Sequence, residues 1–264
     1  EVGFLMFWKR KGKSVAAVQR RFAIPAGQRV YAIGDIHGRD DLFAELIDLI
    51  HADNARREPA KVTLILLGDL VDRGEQSAEV VQRAIGLTSG FDEVRLLIGN
   101  HEECFLAALT GDVRRLRYFM RIGGDATVSS YWNDMLQLDQ ASFEEVAERL
   151  PKMVPLEHVE FLNSGEDVIE IGDYVFVHAG IRPGVPLEKQ SLGDLRWIRD
   201  EFLEDDRDHG AIIVHGHTIR ESVDEWPNRI GIDTGAYLSG KLTALALEGD
   251  ERRYLQTGIS VAAA

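Results

Sequence analysis

The sequence is short of cysteine, of basic charge and of long apolar runs, and each shortage removes a class of answer. Cys104 is the only cysteine among 264 residues, so no intrachain disulfide can form. A fold without disulfides suits a reducing compartment, and the cytoplasm is expected. Thirty Lys and Arg stand against 44 Asp and Glu, a formal net charge of -14. A surface that acidic repels nucleic acid and anionic membranes at long range. It does not exclude a phosphate substrate, because bound divalent cations reverse the sign locally. The longest apolar run near the N-terminus, residues 2–8, is too short to span a bilayer. The basic stretch 9–13 follows it, the wrong order for a secretory signal. Neither a nucleic-acid partner nor stable membrane insertion is expected.

No linker rich in Pro, Gly and Ser divides the chain, and no internal repeat is visible. Residues 1–20 are expected to form a flexible extension, of which residues before Met6 need not be native. Residues 21–264 are taken as one domain. Within it, apolar runs of four to seven residues at 30–33, 61–67, 94–98, 174–177 and 211–214 each end in a polar cluster containing glycine. Short runs of Val, Ile and Leu bounded in this way mark buried strands. Between them, residues 40–51 carry Leu42, Phe43, Leu46, Ile47, Leu49 and Ile50 at helical spacing, with Asp40 or Asp41 as the expected N-cap. Residues 76–87 show the same pattern. Residues 230–247 suggest two strands joined by T-G-A-Y-L-S-G, and residues 104–161 a helical insertion beside the site. Strand and helix alternating imply an α/β fold with a largely parallel core. Two sheets face to face with helices outside would make it a four-layer α/β/β/α sandwich.

Loops at the carboxyl ends of parallel strands converge on one edge. Here those loops are G-D-I-H-G, G-D-L-V-D-R-G, G-N-H-E, H-A-G and H-G-H-T, holding Asp35, His37, Asp69, Asp72, Arg73, Asn100, His101, His178 and His217. A lone G-D after a strand is commonly a turn with an Asp cap, and a lone His is more often a core residue. Five strand ends that each deliver an oxygen or imidazole donor are a different matter. Such a set suits two divalent ions, manganese first, with iron or zinc as alternatives.

The ordered set resembles the phosphoprotein phosphatase family of calcineurin-like metallophosphoesterases over residues 34–218, and I-D-T-G-A-Y-L-S-G-K-L-T extends the likeness to about residue 247. G-G-D at 123–125, W-I-R at 197–199 and G-H-T at 216–218 make it most similar to the bacterial and phage serine/threonine phosphatases. The resemblance implies that Asp35 and His37 hold a first metal, that Asp69 bridges, and that Asn100, His178 and His217 complete the second. It implies a water or hydroxide shared by the two ions as nucleophile, with no phosphoenzyme. Arg73 and Arg199 would grip the phosphate, Asn100 and Tyr237 would also meet substrate, and His101, oriented by Asp72, would act as general acid.

Plainer readings stand beside these. Arg73 could pair with Glu75, and Arg199 with Asp200 or Glu201. Tyr237 could be a packed turn aromatic. His215 and His217 share a strand face if the strand continues, so either could ligate. His51, His158 and His209 are expected to be structural or solvated. The implied substrate is a phosphoserine or phosphothreonine protein or peptide, with phosphotyrosine left open. Hydrolysis of diadenosine tetraphosphate is the alternative that the closing D-T-G-A-Y-L-S-G-K-L-T-A-L suggests. A nuclease would need a basic groove, and a non-catalytic relative would have lost ligands.

Overall fold

The apolar runs fold as strands, all but Glu93–Leu96 largely buried on both faces. The computed structural model describes residues 22–132 and 134–258; the extension expected over residues 1–20 lies outside the described residues. β1 (Gln28–Ile33), β2 (Lys61–Leu66) and β3 (Glu93–Leu96) pair in parallel. The second sheet uses β4 (Ile169–Ile171), β5 (Tyr174–Phe176), β6 (Ile212–His215), β7 (Asp224–Glu225) and β8 (Arg229–Gly231). Its centre, β5-β6-β8, is parallel, and β4 and β7 close its edges antiparallel. β9 (Thr243–Glu248) and β10 (Glu251–Gln256) return antiparallel to β1, completing the first sheet in the order β10-β9-β1-β2-β3.

Period-two alternation sorts each strand's side chains between layers. Val30, Ala32, Ile65, Leu245 and Leu247 of the first sheet meet Ile169, Tyr174, Phe176, Ile212, Val214 and Ile230 of the second in a central apolar layer. Tyr31, Ile33, Leu64 and Leu66 face outward, onto α1 (Asp40–Asn54) and α2 (Ser77–Gly86). Six further helices follow: α3 (Asn100–Ala108), α4 (Val113–Phe119), α5 (Asp125–Tyr131), α6 (Met135–Gln140), α7 (Phe143–Met153) and α8 (Leu156–Asn163). A π-helical turn, Met120–Gly124, lies between α4 and α5. These helices cover the expected insertion and join the same outer cluster through Phe105, Leu116, Phe119 and Leu150. On the far side Val175, Val177 and Ile213 pack on α9 (Leu192–Trp197) and α10 (Asp200–Leu203) through Leu195, Phe202 and Leu203. The result is the α/β/β/α sandwich.

One local expectation needs correction, and the sheets hold details that the sequence did not show. The N-cap of α1 is Arg39, with Asp40 and Asp41 in the first turn, where their charge favours the helix dipole instead. The two strands around T-G-A-Y-L-S-G do not pair with each other: β8 ends one sheet's segment and β9 enters the other, with α11 (Ala236–Ser239) in the crossing. The strands that escaped notice are β4, β7 and β10. The first two are only three and two residues long. β10, E-R-R-Y-L-Q, lies at a sheet edge and is mostly half-buried, so it lacks an apolar run.

No helix among the described residues is long and apolar enough to cross a membrane. Phe176 is fully buried in the layer between the sheets. Phe176→Ala should lower unfolding free energy by about 3–5 kcal/mol in a urea titration. A loss under about 1 kcal/mol would mean that the layer collapses around the cavity.

Candidate metal centre

All the parallel strands point their carboxyl ends to one edge, and the polar loops gather there. The loop after β1 is laced to the loop after β2: the Ile36 and His37 amides donate to the Asp69 carbonyl (3.1 and 2.9 Å), and the Gly38 amide donates to that of Leu70 (2.9 Å). In the second sheet the Gly216 amide donates to the His178 carbonyl (2.8 Å). Two glycines make close approach possible. A Cβ on Gly99 would lie 2.1 Å from Asp69 Oδ1, and one on Gly216 would lie 2.0 Å from Asp35 Oδ1.

Asp69 Oδ2 is the hub. It lies 3.4 Å from His178 Nε2, 3.7 Å from His37 Nε2 and 3.9 Å from His101 Nε2. The His37 and His178 rings are oriented from behind, because each Nδ1 donates to a carbonyl, Val71 or Leu67, both at 2.8 Å. That fixes the tautomer and leaves each Nε2 facing the hub. Asn100 Oδ1 lies 3.1 Å from His178 Nε2. Two donor clusters result, His37–Asp69–His101 and Asp69–His178–His217, and they share Asp69. Asp35 stands beside rather than in them, with both carboxylate oxygens accepting the His217 amide (3.1 and 3.0 Å).

Electrostatics sets the charge states. Burial opposes ionisation of Asp69, but His178 and His101 outweigh it and hold its pKa well below the usual carboxylate range. Burial lowers the pKa of His37 to about 3 and of His217 to about 2, so both rings are neutral, the ligating form. Burial, then Asp233, raises Asp35 well above the ordinary value. Asp35, Asp69, Asp72, Glu102 and Asp233 are all buried here. Charges packed that densely out of water require cations or protons beside them.

These side chains fit the two metal ions that the fold's donors imply. Imidazoles and carboxylates are the donors that divalent transition metals take. His217 Nε2 is buried with no hydrogen-bond partner, next to Asp69 and His178, which an ion would satisfy. His37, Asp69 and the nearby Asp35 would hold one ion, and Asp69, Asn100, His178 and His217 the other.

Beside the donors, His101 Nδ1 and Asp72 Oδ2 are 2.5 Å apart. Burial disfavours the imidazolium, but Asp69 and the Asp72 hydrogen bond outweigh it, and the net shift of His101 is upward. Arg73 Nη2 lies 3.0 Å from His101 Nε2, and Arg73 Nη1 donates to Tyr237 Oη at 3.0 Å. The guanidinium also stacks over the Tyr237 ring, 4.8 Å from its centroid. Tyr237 in turn meets His37 edge-on, at 5.3 Å. Arg73 is thus turned into the site. Arg199 donates to Thr218 Oγ1 at 3.3 Å, next to His217, while Glu201 is taken up by Arg182 (2.8 Å). His215 and His217 are separated: His217 has a left-handed backbone (φ 62°), which ends the strand alternation. His217 stacks edge-on with His178, whereas His215 packs against Phe202.

Glu102 is the residue whose role the sequence hid. It is fully buried, and its carboxylate accepts the amides of Asp69 (2.7 Å), Leu70 (2.7 Å), Val71 (3.3 Å) and Gly99 (3.0 Å). Its position three residues after Gly99, the N-cap of α3, was the available signal: an acid there reaches back to the cap amide.

The family model for calcineurin-like phosphoesterases matches residues 28–240. The chain belongs to that family. A symmetrical bis(5'-nucleosyl)-tetraphosphatase of Paracidovorax citrulli is 44% identical over 82 residues, 31% of this chain and 26% of that protein. One of Nitrosomonas europaea is 28% identical over 201 residues, 74% of this chain and 63% of that protein. The chain therefore spans between about a quarter and under two thirds of these relatives' length. A crystal structure described as a candidate diadenosine tetraphosphatase superposes with a TM-score of 0.61 at 20% identity, covering 90% of this chain and 98% of that one. That likeness concerns the fold.

In this phosphoesterase, Glu102→Gln would set an amide NH2 against backbone N–H donors. It should cost about 3 kcal/mol, measured by thermal or urea unfolding. An unchanged midpoint would show that the loop after β2 holds its shape without that carboxylate.

Proposed function

We propose that this phosphoesterase hydrolyses a phosphoanhydride of a dinucleoside polyphosphate, using two divalent metal ions. The observation that carries the choice of substrate is its similarity to symmetrical bis(5'-nucleosyl)-tetraphosphatases, 44% identical over 82 residues in one case. The matched stretches leave much of those relatives uncovered, so the substrate is argued from partial likeness together with the site. Phosphoserine or phosphothreonine in a protein or peptide, the first expectation from the motifs, becomes the second reading.

When bound, the two ions, manganese in first place, supply Lewis acidity and an activated water. The protein's own groups do the rest. Arg73 presents two N–H donors in a fork that fits two phosphoryl oxygens, and Arg199 can approach the same group from the His217 side. Taking up a phosphate draws the Arg73 guanidinium from His101 Nε2, which then can hold a proton for the leaving oxygen. Asp72 keeps the His101 ring facing that oxygen. Tyr237 positions Arg73 and lines the site.

The Asp72–His101 pair is the specific feature that favours the second reading. A general acid helps most when the leaving group is a basic alkoxide, as in a phosphoserine, and least when it is a nucleotide phosphate. The two readings therefore diverge in a direct experiment. Diadenosine tetraphosphate should be cleaved with kcat/KM at least about tenfold above phosphoserine, phosphothreonine and phosphotyrosine peptides, a gap of roughly 1.4 kcal/mol. The reverse order would establish a phosphatase. His101→Asn should slow substrates with poor leaving groups about 10²-fold or more and nitrophenyl phosphate far less. Equal losses on both would exclude His101 as the acid.

Metal binding gives a separate check. Calorimetric titration of chelator-treated protein with Mn2+ should show two ions per chain, with Asp69→Asn retaining at most one. An unchanged isotherm in Asp69→Asn would refute its bridging role.

A further inference from the structure

The helical insertion meets the site at the loop after β2, through Gly123 and Thr127. Asp72 and Arg73 are consecutive residues with left-handed backbones, φ 75° and 72°. Side chains in that region cost about 1–2 kcal/mol each, so surrounding bonds must hold them. The bonds come largely from the insertion. The Arg73 amide donates to the Gly123 carbonyl (2.9 Å), in the π-helical turn. The Asp72 amide is shared between Thr127 Oγ1 (2.8 Å) of α5 and Ser77 Oγ (3.1 Å) of α2. Gly123 explains the G-G-D motif. Its own φ is 109°, and a Cβ there would lie 2.8 Å from Arg73 Cγ.

The hydroxyl directions follow by counting protons. Thr127 Oγ1 lies 2.6 Å from Asp72 Oδ1, which as a carboxylate can only accept, so the single Thr127 hydroxyl proton points there. Ser77 Oγ, 2.9 Å from Thr127 Oγ1, must then donate to it. The chain Ser77→Thr127→Asp72 ends on the carboxylate whose other oxygen meets His101 Nδ1. Thr127 and Ser77 are fully buried, so water cannot replace either bond.

We propose that Thr127, supplied by the insertion, is a positioning residue that clamps the Asp72 carboxylate and through it sets the orientation of the His101 ring. The insertion is then a working part of the site rather than a cover over it. Asp72 alone could rotate about its side-chain bonds. With one oxygen held by Thr127, the other is left in a single place, facing His101. This rests on the reading of His101 as the group that protonates the leaving oxygen.

The test compares Thr127→Val, which keeps the branched shape and removes the hydroxyl, with Thr127→Ser, which keeps the hydroxyl. The zinc-loaded chain is used, so that no paramagnetic ion broadens the spectra. The downfield His101 Nδ1 proton, assigned by its loss in His101→Asn, should shift and exchange faster with water in Thr127→Val and stay put in Thr127→Ser. Turnover of aryl phosphates graded in leaving-group basicity should fall about 10- to 100-fold for the poorest leaving group in Thr127→Val, with KM little changed, and far less for nitrophenyl phosphate. Thr127→Ser should restore both. An unmoved His101 resonance in folded Thr127→Val, whatever its melting temperature, overturns the proposal and leaves Thr127 as packing. If His101→Asn itself shows no leaving-group dependence while the resonance moves in Thr127→Val, the acid reading fails and the clamp stands.

Discussion

The site depends on one buried carboxylate that touches no substrate. Glu102 collects amides from two loops, three from residues 69–71 and one from Gly99, and so welds the end of β2 to the start of α3. Burial pushes its pKa up to about 7, while the amide bonds pull the other way and favour the charge. Asp69 is the hub of both donor clusters, and its own amide is among the four. A shift in that weld displaces the hub relative to His37, His101 and His178 at once. The single carboxylate thereby fixes positions contributed by three loops.

The same region concentrates backbone strain. Among the described residues, those other than glycine with positive φ are His37, Asp69, Asp72, Arg73 and His217, and every one lies in the site. Each is held by hydrogen bonds from another segment: His37 by Asp69 and Val71, Asp69 by Glu102, Asp72 by Thr127 and Ser77, Arg73 by Gly123, and His217 by Asp35. Strain of this kind persists only where the surroundings enforce it. The left-handed turns break the strand alternation at the sheet edge. An extended chain leaving the strand would carry every second side chain to the opposite face.

That geometry explains what could be seen in the sequence. The fold class was legible, and so was the gathering of the candidate donors at one edge, because each follows an apolar run by only a few residues and a parallel sheet brings such positions together. The helices α1 and α2 were legible from their spacing. Glu102 was not, since one more acid in a helix of an acidic protein looks like a solvated residue. Thr127 was invisible for a different reason: its meaning lies in a contact 55 residues away, and a helical Thr has no pattern of its own. Strand alternation left both His215 and His217 open, and only the family resemblance favoured His217; the alternation fails where the backbone turns left-handed at His217. β8 and β9 were found as strands, but their assignment to different sheets is a property of the crossing, not of either segment.

The metal donors answer a narrower question than the one that distinguishes relatives. Five buried carboxylates and the neutral imidazoles of His37 and His217 prepare a place for cations, and cations bring any phosphoryl group. Which group leaves is decided around them. Arg73 reaches the site from the β2 loop, His101 from α3, Tyr237 from the crossing between the sheets, and Thr127 from the insertion. These four belong to separate segments of the chain. Thr127 ties the insertion to Asp72 beside the donor clusters, without being part of them.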